Sequence, residues 1–423
     1  MARTLTSLAA LLAAAMLLML GNGLFSTLLA VRAGIESYST EMTGVIMAAY
    51  FAGLVVGVFW CRNAVHDVGH IRSFAAFAAI MSVLPLGHAF LVHPWAWVVF
   101  RGLAGLCIAG LFMVTESWIN ERAPNEMRGR ILAVYLIAYY AALGGGQFLL
   151  NVGDPGGLVL FALVSILVSL AIVPVCLTRS ETPPPVPKIG FGIRDLYRLS
   201  PLGVVGCAAA GMINAAFYGM GPVFARDIGL PLSGVSWLMG ATIIGGLAMQ
   251  WPIGKLSDYF DRRHVIMGIA VAIVVASAGM AAGADGPSLR LYLIAGCYGG
   301  GAFALYSVCI AHANDFLSPE QRLDAAGGLL IVYGVGAAFG PIVASAAMGW
   351  LGPGGLYLTA GAIQLVLLAF AIHRSFSRRT IIRALRRPLV LFPRSSPVCT
   401  ELAQTEAAGE ALAGEDYGES QRT

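Results

Sequence analysis

Charged residues are scarce in this sequence. Only 11% of its 423 residues are Asp, Glu, Lys or Arg, and 58% are hydrophobic, whereas soluble domains average about 25% charged residues. A chain of this composition cannot cover a globular surface with polar groups, so we expect lipid to surround most of it. Its apolar runs are continuous rather than alternating at every second residue, which predicts membrane-spanning helices instead of barrel strands.

Motifs that would define several other functions are missing. The only two lysines, Lys188 and Lys255, lie outside any G-x-x-x-x-G-K-[ST] nucleotide loop, which excludes a pump driven directly by ATP. The 7 cysteines form no C-x-x-C pair, so neither a disulfide framework nor a zinc site is predicted. No H-E-x-x-H or G-x-S-x-G sequence occurs in the apolar runs. We therefore expect no enzyme, no metal and no cofactor.

Twelve apolar runs approach the roughly 20 residues that a helix needs to cross a bilayer. The predicted spans are 5–31, 42–61, 73–92, 95–119, 130–151, 157–177, 202–224, 234–253, 265–283, 289–312, 327–350 and 353–373. The predicted domains are a six-helix bundle at 1–177, a proline-rich cytoplasmic linker at 178–200, a second six-helix bundle at 201–373, and a cytoplasmic tail at 374–423. The tail is basic and then acidic, and we expect it to be disordered.

Positive charge falls mainly on one side of the predicted spans. Most of the 26 lysines and arginines lie on the side that holds both termini, whereas the opposite side holds only Arg32, Arg226 and Arg290. The positive-inside rule therefore predicts cytoplasmic termini in a multi-pass protein of the bacterial inner membrane. Because the arginines follow the loops rather than forming one patch, no nucleic-acid partner is expected.

The two halves of the sequence share short patterns at a spacing of about 190 residues. These pairs are Asn22-x-x-Phe25 with Asn214-x-x-Phe217, Asp67-x-x-His70 with Asp261-x-x-His264, and Asn120-Glu121 with Asn314-Asp315. Each half has six predicted spans, so both halves enter the membrane in the same orientation. This pattern indicates a parallel repeat, which places a binding site between the halves near the middle of the bilayer.

Several segments resemble the major facilitator superfamily. The segment GKLSDYFDRR (254–263) is similar to its G-x-L-x-D-x-x-G-R-R signature, RNAVHDVGHIR (62–72) to a degraded copy, and RGLAG (101–105) to its R-x-x-x-G pattern. The segments VTESW (114–118), QWPIGKLSD (250–258) and LLIVYGVGAAFGP (329–341) resemble the YcaD-type branch. The resemblance implies that two bundles rock about a central cavity. It also implies a cytoplasmic latch of loop charges, formed by Asp67, Arg72, Asp258, Arg262 and Arg263.

Ionisable residues inside the spans are candidate functional residues, because burying a charge in hydrocarbon costs at least ~2.5–3.5 kcal/mol. Arg101 and Glu116 both lie on the fourth span, and 15 residues of helical rise separate them by ~22 Å, so they cannot touch. Arg101 could meet an anionic substrate or anchor a partner helix. Glu116 could be a proton-coupling carboxylate or a structural partner for loop arginines.

Polar side chains in other spans are candidate cavity residues, since an amide facing lipid would lack hydrogen bonds. Asn22 and Asn214 could contact substrate or link helices. The other substrate-cavity candidates are Gln147, Tyr218 and His312. The glycines of Gly336-x-x-x-Gly340-Pro341 permit close helix packing or a kink.

The sequence as a whole predicts a secondary transporter of a small solute that works by alternating access. Proton coupling is left open, and the alternatives are a facilitator without ion coupling and a transport-dead membrane sensor with the same fold. The expected partners are a small-molecule substrate and membrane lipids, with protons as a further partner if transport is proton-coupled, and we expect a monomer.

Overall fold

The computed structural model describes residues 2–122, 128–177, 192–283, 288–317 and 319–375. The helices of this part of the chain are α1 (Ala2–Ile35), α2 (Thr40–Val68), α3 (His70–Phe90), α4 (Pro94–Arg122), α5 (Arg128–Phe148), α6 (Val159–Cys176), α7 (Ile193–Leu199), α8 (Pro201–Asp227), α9 (Leu232–Tyr259), α10 (Arg262–Ala282), α11 (Leu289–Asn314), α12 (Pro319–Leu351) and α13 (Gly355–Ser375). The predicted tail beyond residue 375 and residues 178–191 of the predicted linker lie outside the described residues.

Twelve of these helices, all except α7, are long and apolar enough to cross a membrane. The prediction of an all-helical membrane protein with twelve spans is confirmed. Several helices extend beyond the predicted spans, since α2 continues to Val68 and α12 begins at Pro319. Hydrophobicity marks only the part of a helix that lies in hydrocarbon, and the helical hydrogen bonds continue into the polar interface.

Short polar side chains define the starts of several helices. Ser39 Oγ accepts a hydrogen bond from the backbone N–H of Met42 at 3.1 Å, which caps α2. Asp261 caps α10 in the same way, since its carboxylate accepts from the N–H of Arg263 at 2.9 Å. These side chains satisfy N–H groups that have no partner inside the helix.

The two halves of the chain fold into bundles with the same internal packing. In the first bundle α1 packs on α5 and α6, α2 on α4, and α3 on α4 and α6; in the second, α8 packs on α12 and α13, α9 on α11, and α10 on α11 and α13. Glycines at equivalent positions permit equivalent close approaches. A Cβ atom on Gly53 would lie 2.8 Å from the carbonyl carbon of Gly102, and one on Gly245 would lie 2.6 Å from that of Gly296.

The bundles meet along two equivalent helix pairs, α2 with α12 and α5 with α9, and also where α1 packs on α8. We call the end of the molecule where α1 begins and α13 ends the terminal end, and the opposite end the distal end. The short helix α7 follows the predicted linker and packs on α8 and α12, with Leu196 buried.

Candidate functional site

A cavity of about 120 Å³ lies between the two bundles. Its walls come from α1, α2, α4 and α5 of the first bundle and from α8 and α12 of the second. Aromatic and aliphatic side chains make up most of the lining, which consists of Asn22, Gly23, Ser26, Thr27, Tyr50, Phe51, Leu54, Val55, Val58, Phe112, Tyr139, Tyr140, Leu143, Gln147, Tyr218, Leu330, Ile331, Tyr333, Gly334 and Ala337. A largely apolar pocket with a few converging polar groups is the usual form of a small-molecule site.

The polar groups of the cavity come mainly from α1 and α5. Asn22 and Ser26 are four residues apart and Thr27 is adjacent, so all three lie near one face of α1. Thr27 Oγ1 donates to Gln147 Oε1, and Gln147 Nε2 donates to the carbonyl of Gly23 at 3.2 Å. Asn22 Oδ1 is buried without a hydrogen-bond partner. Of the predicted cavity residues, Asn22, Gln147 and Tyr218 therefore line the cavity.

Arg101 lies directly behind the cavity wall. Only 2% of its surface is exposed. Its Nη2 donates to Ser26 Oγ, and its guanidinium carbon lies 4.3 Å from the ring centre of Tyr50 and 5.2 Å from that of Phe25. Since Ser26 and Tyr50 line the cavity, one layer of side chains separates this cation from the cavity space.

Two predicted cavity residues lie elsewhere. Asn214 is fully buried, and its Nδ2 donates to the carbonyls of Ala210 at 2.7 Å and Ala302 at 3.1 Å, so it joins α8 to α11 within the second bundle. His312 is in the last turn of α11, where its ring lies 5.2 Å from that of Phe316. Neither side chain belongs to the cavity lining.

Glu116 is fully buried near the terminal end of α4. Tyr135 is one of its partners, and the tyrosine hydroxyl donates to Glu116 Oε1 at 3.0 Å. The ring of Tyr135 lies 6.4 Å from that of Tyr139, which lines the cavity. Glu116 is thus connected to the cavity through two tyrosines but does not line it.

The predicted latch residues form two separate groups. In the second bundle Arg262 Nη1 lies 2.6 Å from Asp315 Oδ1 and also donates to the carbonyl of Ala311 at 2.6 Å, while its Nη2 lies 3.7 Å from Asp258 Oδ1. This cluster joins the ends of α9, α10 and α11, and Arg263 is buried beside it.

The first-bundle members of the predicted latch differ. Asp67 is exposed and contacts the ring of neighbouring His66 at 3.0 Å, and Arg72 is also exposed. Within the described part of the chain, neither residue forms an ion pair with the cluster around Arg262.

The halves are joined by specific contacts from the level of the cavity to the distal end. Ser236 Oγ on α9 donates to the carbonyl of Gln147 at 2.8 Å and accepts from Asn151 Nδ2 at 2.9 Å. On the other side of the interface, Gly44 of α2 lies against Ser345 and Pro341 of α12, and a Cβ atom there would be 2.8 Å from the Pro341 carbonyl oxygen. We call these two sets of contacts the distal gate.

Ser26, Thr27 and Tyr50 line the cavity but were not among the residues predicted from the sequence. Ser26 and Thr27 could have been predicted, because together with Asn22 they are polar residues at helical spacing in an apolar span. Tyr50 could not have been predicted, since an aromatic residue in a span is equally compatible with core packing. Its contact with Arg101 depends on how α2 and α4 pack together.

The comparisons with known proteins agree with the fold. Residues 11–235 and 202–398 both match the family model of the Major Facilitator Superfamily. The chain belongs to the Major Facilitator Superfamily. Its relatives include uncharacterized MFS-type transporters of Yersinia enterocolitica, 26% identical over 347 residues (82% of this chain, 90% of the relative), and of Escherichia fergusonii, 26% identical over 368 residues (86% and 95%). The latter is named YcaD, so the predicted resemblance to the YcaD-type branch is confirmed.

Solved structures show the same fold. The nucleoside transporter NupG has a TM-score of 0.75 at 15% identity, with 88% of this chain and 100% of that chain covered. A bacterial homologue of the human lysosomal transporter Spinster, in an inward-facing and unoccupied conformation, has a TM-score of 0.65 at 16% identity, with 96% and 98% covered. The family match and the relatives, together with the twelve candidate spans, show a multi-pass inner-membrane transport protein and not an enzyme.

Proposed function

We propose that this protein is a secondary transporter that moves a small solute across the inner membrane by alternating access, with the solute bound in the central cavity. The observation that carries the proposal is the position of the cavity, which takes its walls from both bundles and therefore changes shape when they move relative to each other. A solute that binds differently in the two arrangements shifts the equilibrium between them.

The distal gate indicates which access state the structure represents. Its contacts close the space between the bundles on the distal side of the cavity. The positive-inside rule assigns the terminal end to the cytoplasm, so we propose that this is a cytoplasm-facing state. Opening the distal gate while closing the terminal end would give the opposite state.

Topology and transport are tested separately. Single cysteines at partly exposed Arg62 and exposed Arg290, in a background without native cysteines, should react with an impermeant reagent from the cytoplasmic and periplasmic side respectively. The reverse pattern would overturn the orientation. Counterflow of labelled candidate solutes in proteoliposomes then distinguishes a carrier from a transport-dead sensor, which binds solute without exchange.

We also propose that transport is coupled to protons through Glu116. The support is its complete burial at 3.0 Å from Tyr135, whose neighbour Tyr139 reaches the cavity. A buried carboxyl group changes its proton affinity when a conformational change alters its surroundings. Glu116→Gln should abolish pH-driven accumulation but retain solute binding and downhill exchange. Full pH-driven accumulation by the mutant would show that another group couples transport, and a facilitator would show no pH-driven accumulation even in the wild type.

A further inference from the structure

Arg101 is a buried cation to which the described residues supply no negative partner. Its Nη2 donates to Ser26, but Nε and Nη1 have no hydrogen-bond partner among the described residues. The rings of Tyr50 and Phe25 favour a nearby cation, although they supply no full negative charge. Burying a charge without an opposite charge nearby is energetically costly. Such a residue is therefore expected at sites where the charge has a function.

No acidic side chain in the described part of the chain forms an ion pair with Arg101. Glu116 is on the same helix, but ~22 Å of helical rise separates the two residues. The neutralising group must therefore come from outside the described protein. Ser26 and Tyr50 both contact Arg101 and line the cavity, so rotation of the Tyr50 side chain would expose the guanidinium to the cavity.

The second bundle indicates that the fold does not need this charge. Gly105 packs on the backbone of Tyr50 as Gly299 packs on that of Thr242, and in each case a Cβ atom would lie 2.8 Å from the carbonyl carbon. This equivalence aligns Arg101 with Ala295, which is fully buried in the same packing arrangement. The equivalent helix pair of the second bundle therefore forms around alanine, which argues against a purely structural role for Arg101.

We propose that Arg101 binds the carboxylate of a small aromatic monoanion, which is the solute of the transport function proposed above. One unpaired guanidinium matches one negative charge, and its free N–H groups match carboxylate oxygens. The aromatic part of the solute packs among Tyr139, Tyr140 and Tyr218, whose rings line the cavity.

The test uses the purified full-length protein with phenylacetate and its uncharged analogue phenylacetamide as probes. Phenylacetate should raise the Tm of the wild type in a concentration-dependent manner, and phenylacetamide should not. Arg101→Met should weaken phenylacetate binding at least about tenfold, and Arg101→Lys should weaken it less. The matched control is Arg290→Met, which removes the same charge from an exposed position and should bind phenylacetate like the wild type.

Stability without ligand gives an independent readout. Because Arg101→Met removes an unpaired buried cation, its ligand-free Tm should equal or exceed that of the wild type. A lower Tm would identify Arg101 as a structural anchor and overturn the proposal. So would equal stabilisation by the amide, or no stabilisation by either probe.

Counterflow of labelled phenylacetate in proteoliposomes separates this proposal from the transport function. Binding that requires Arg101 without counterflow would contradict transport and leave the anion site supported. Counterflow that persists unchanged in Arg101→Met would support transport and overturn the anion site.

Discussion

The two bundles share one backbone design but differ in chemistry. Gly53 and Gly105 permit α2 and α4 to touch in the first bundle, and Gly245 and Gly299 do the same for α9 and α11 in the second. The buried cation and most polar cavity groups belong to the first bundle, whereas the buried ion-pair cluster around Arg262 belongs to the second. The repeat thus fixes packing, and each copy has acquired its own polar sites.

The two sides of the distal gate also have equivalent backbone positions but different chemistry. Ser236 hydrogen-bonds the carbonyl of Gln147 on one side of the interface. On the other side Gly44 meets the carbonyl of Pro341, with no room for a Cβ atom. One side of the gate is therefore polar and the other depends on close backbone approach. Changes at the two sides should act by different mechanisms.

The largest expected effect comes from breaking the ion pair of the second bundle. Arg262→Met breaks the ion pair between Arg262 and Asp315, whose side chains are only 3% and 7% exposed. Loss of one member of a buried pair typically costs about 3–5 kcal/mol. We expect a marked decrease in Tm of the purified protein in thermal unfolding.

The matched control is Asp67→Asn, at the exposed latch position of the first bundle. Substitutions at such surface positions usually change stability by no more than about 0.5 kcal/mol, so the Tm should stay near that of the wild type. Equal decreases in Tm for Arg262→Met and Asp67→Asn would contradict a stabilising ion pair that is present only in the second bundle.

An intermediate effect should be the same in both bundles. Gly53→Ala and Gly245→Ala each place a methyl group against a backbone carbonyl, which should cost about 1–3 kcal/mol. The controls are the partner glycines, since a Cβ atom on Gly102 or Gly296 would lie 3.7 or 3.6 Å from its nearest neighbour. If either control variant lowers the Tm as much as Gly53→Ala and Gly245→Ala do, then the Cβ positions of Gly53 and Gly245 are not the ones that face the partner backbone.

The smallest effect concerns the polar side of the gate. Ser236→Ala removes hydrogen bonds to Gln147 and Asn151 while keeping the helix intact. A neutral hydrogen bond contributes about 0.5–1.5 kcal/mol, so the balance between access states should shift roughly two- to tenfold toward distal opening. The rate of cysteine labelling in the cavity, at Thr27→Cys from the distal side, measures this shift. An unchanged rate would show that these bonds do not hold the gate closed.

The sequence predicted the spans and the repeat because both depend on composition and spacing. Hydrophobic runs marked all twelve membrane-spanning helices, and the recurrence of Asn22 at Asn214 revealed equivalent helices. The roles of those two asparagines could not be predicted in the same way. Asn22 lines the cavity whereas Asn214 bonds to carbonyls inside one bundle, and this difference depends on helix rotation and tertiary contacts.

Charge pairing was also beyond prediction from sequence alone. The resemblance grouped Asp67 and Arg72 with Arg262, yet of these three residues only Arg262 forms a buried ion pair in the described part of the chain, with Asp315. The partner Asp315 lies 53 residues away along the chain. Such a contact requires the packing of α10 against α11, which no local pattern specifies.

The proposed alternation of the bundles between two arrangements is tested most directly by distances across the two ends of the molecule. Spin labels at the exposed helix ends Ile35 and Asp227 report the distal distance, and labels at exposed Val68 and Phe260 report the terminal distance. Double electron–electron resonance should find a short distal distance in the wild type. In Gly44→Ala, where the new methyl group clashes across the gate, the distal distance should lengthen while the terminal distance shortens. Lengthening at the distal end with no change at the terminal end would contradict alternating access.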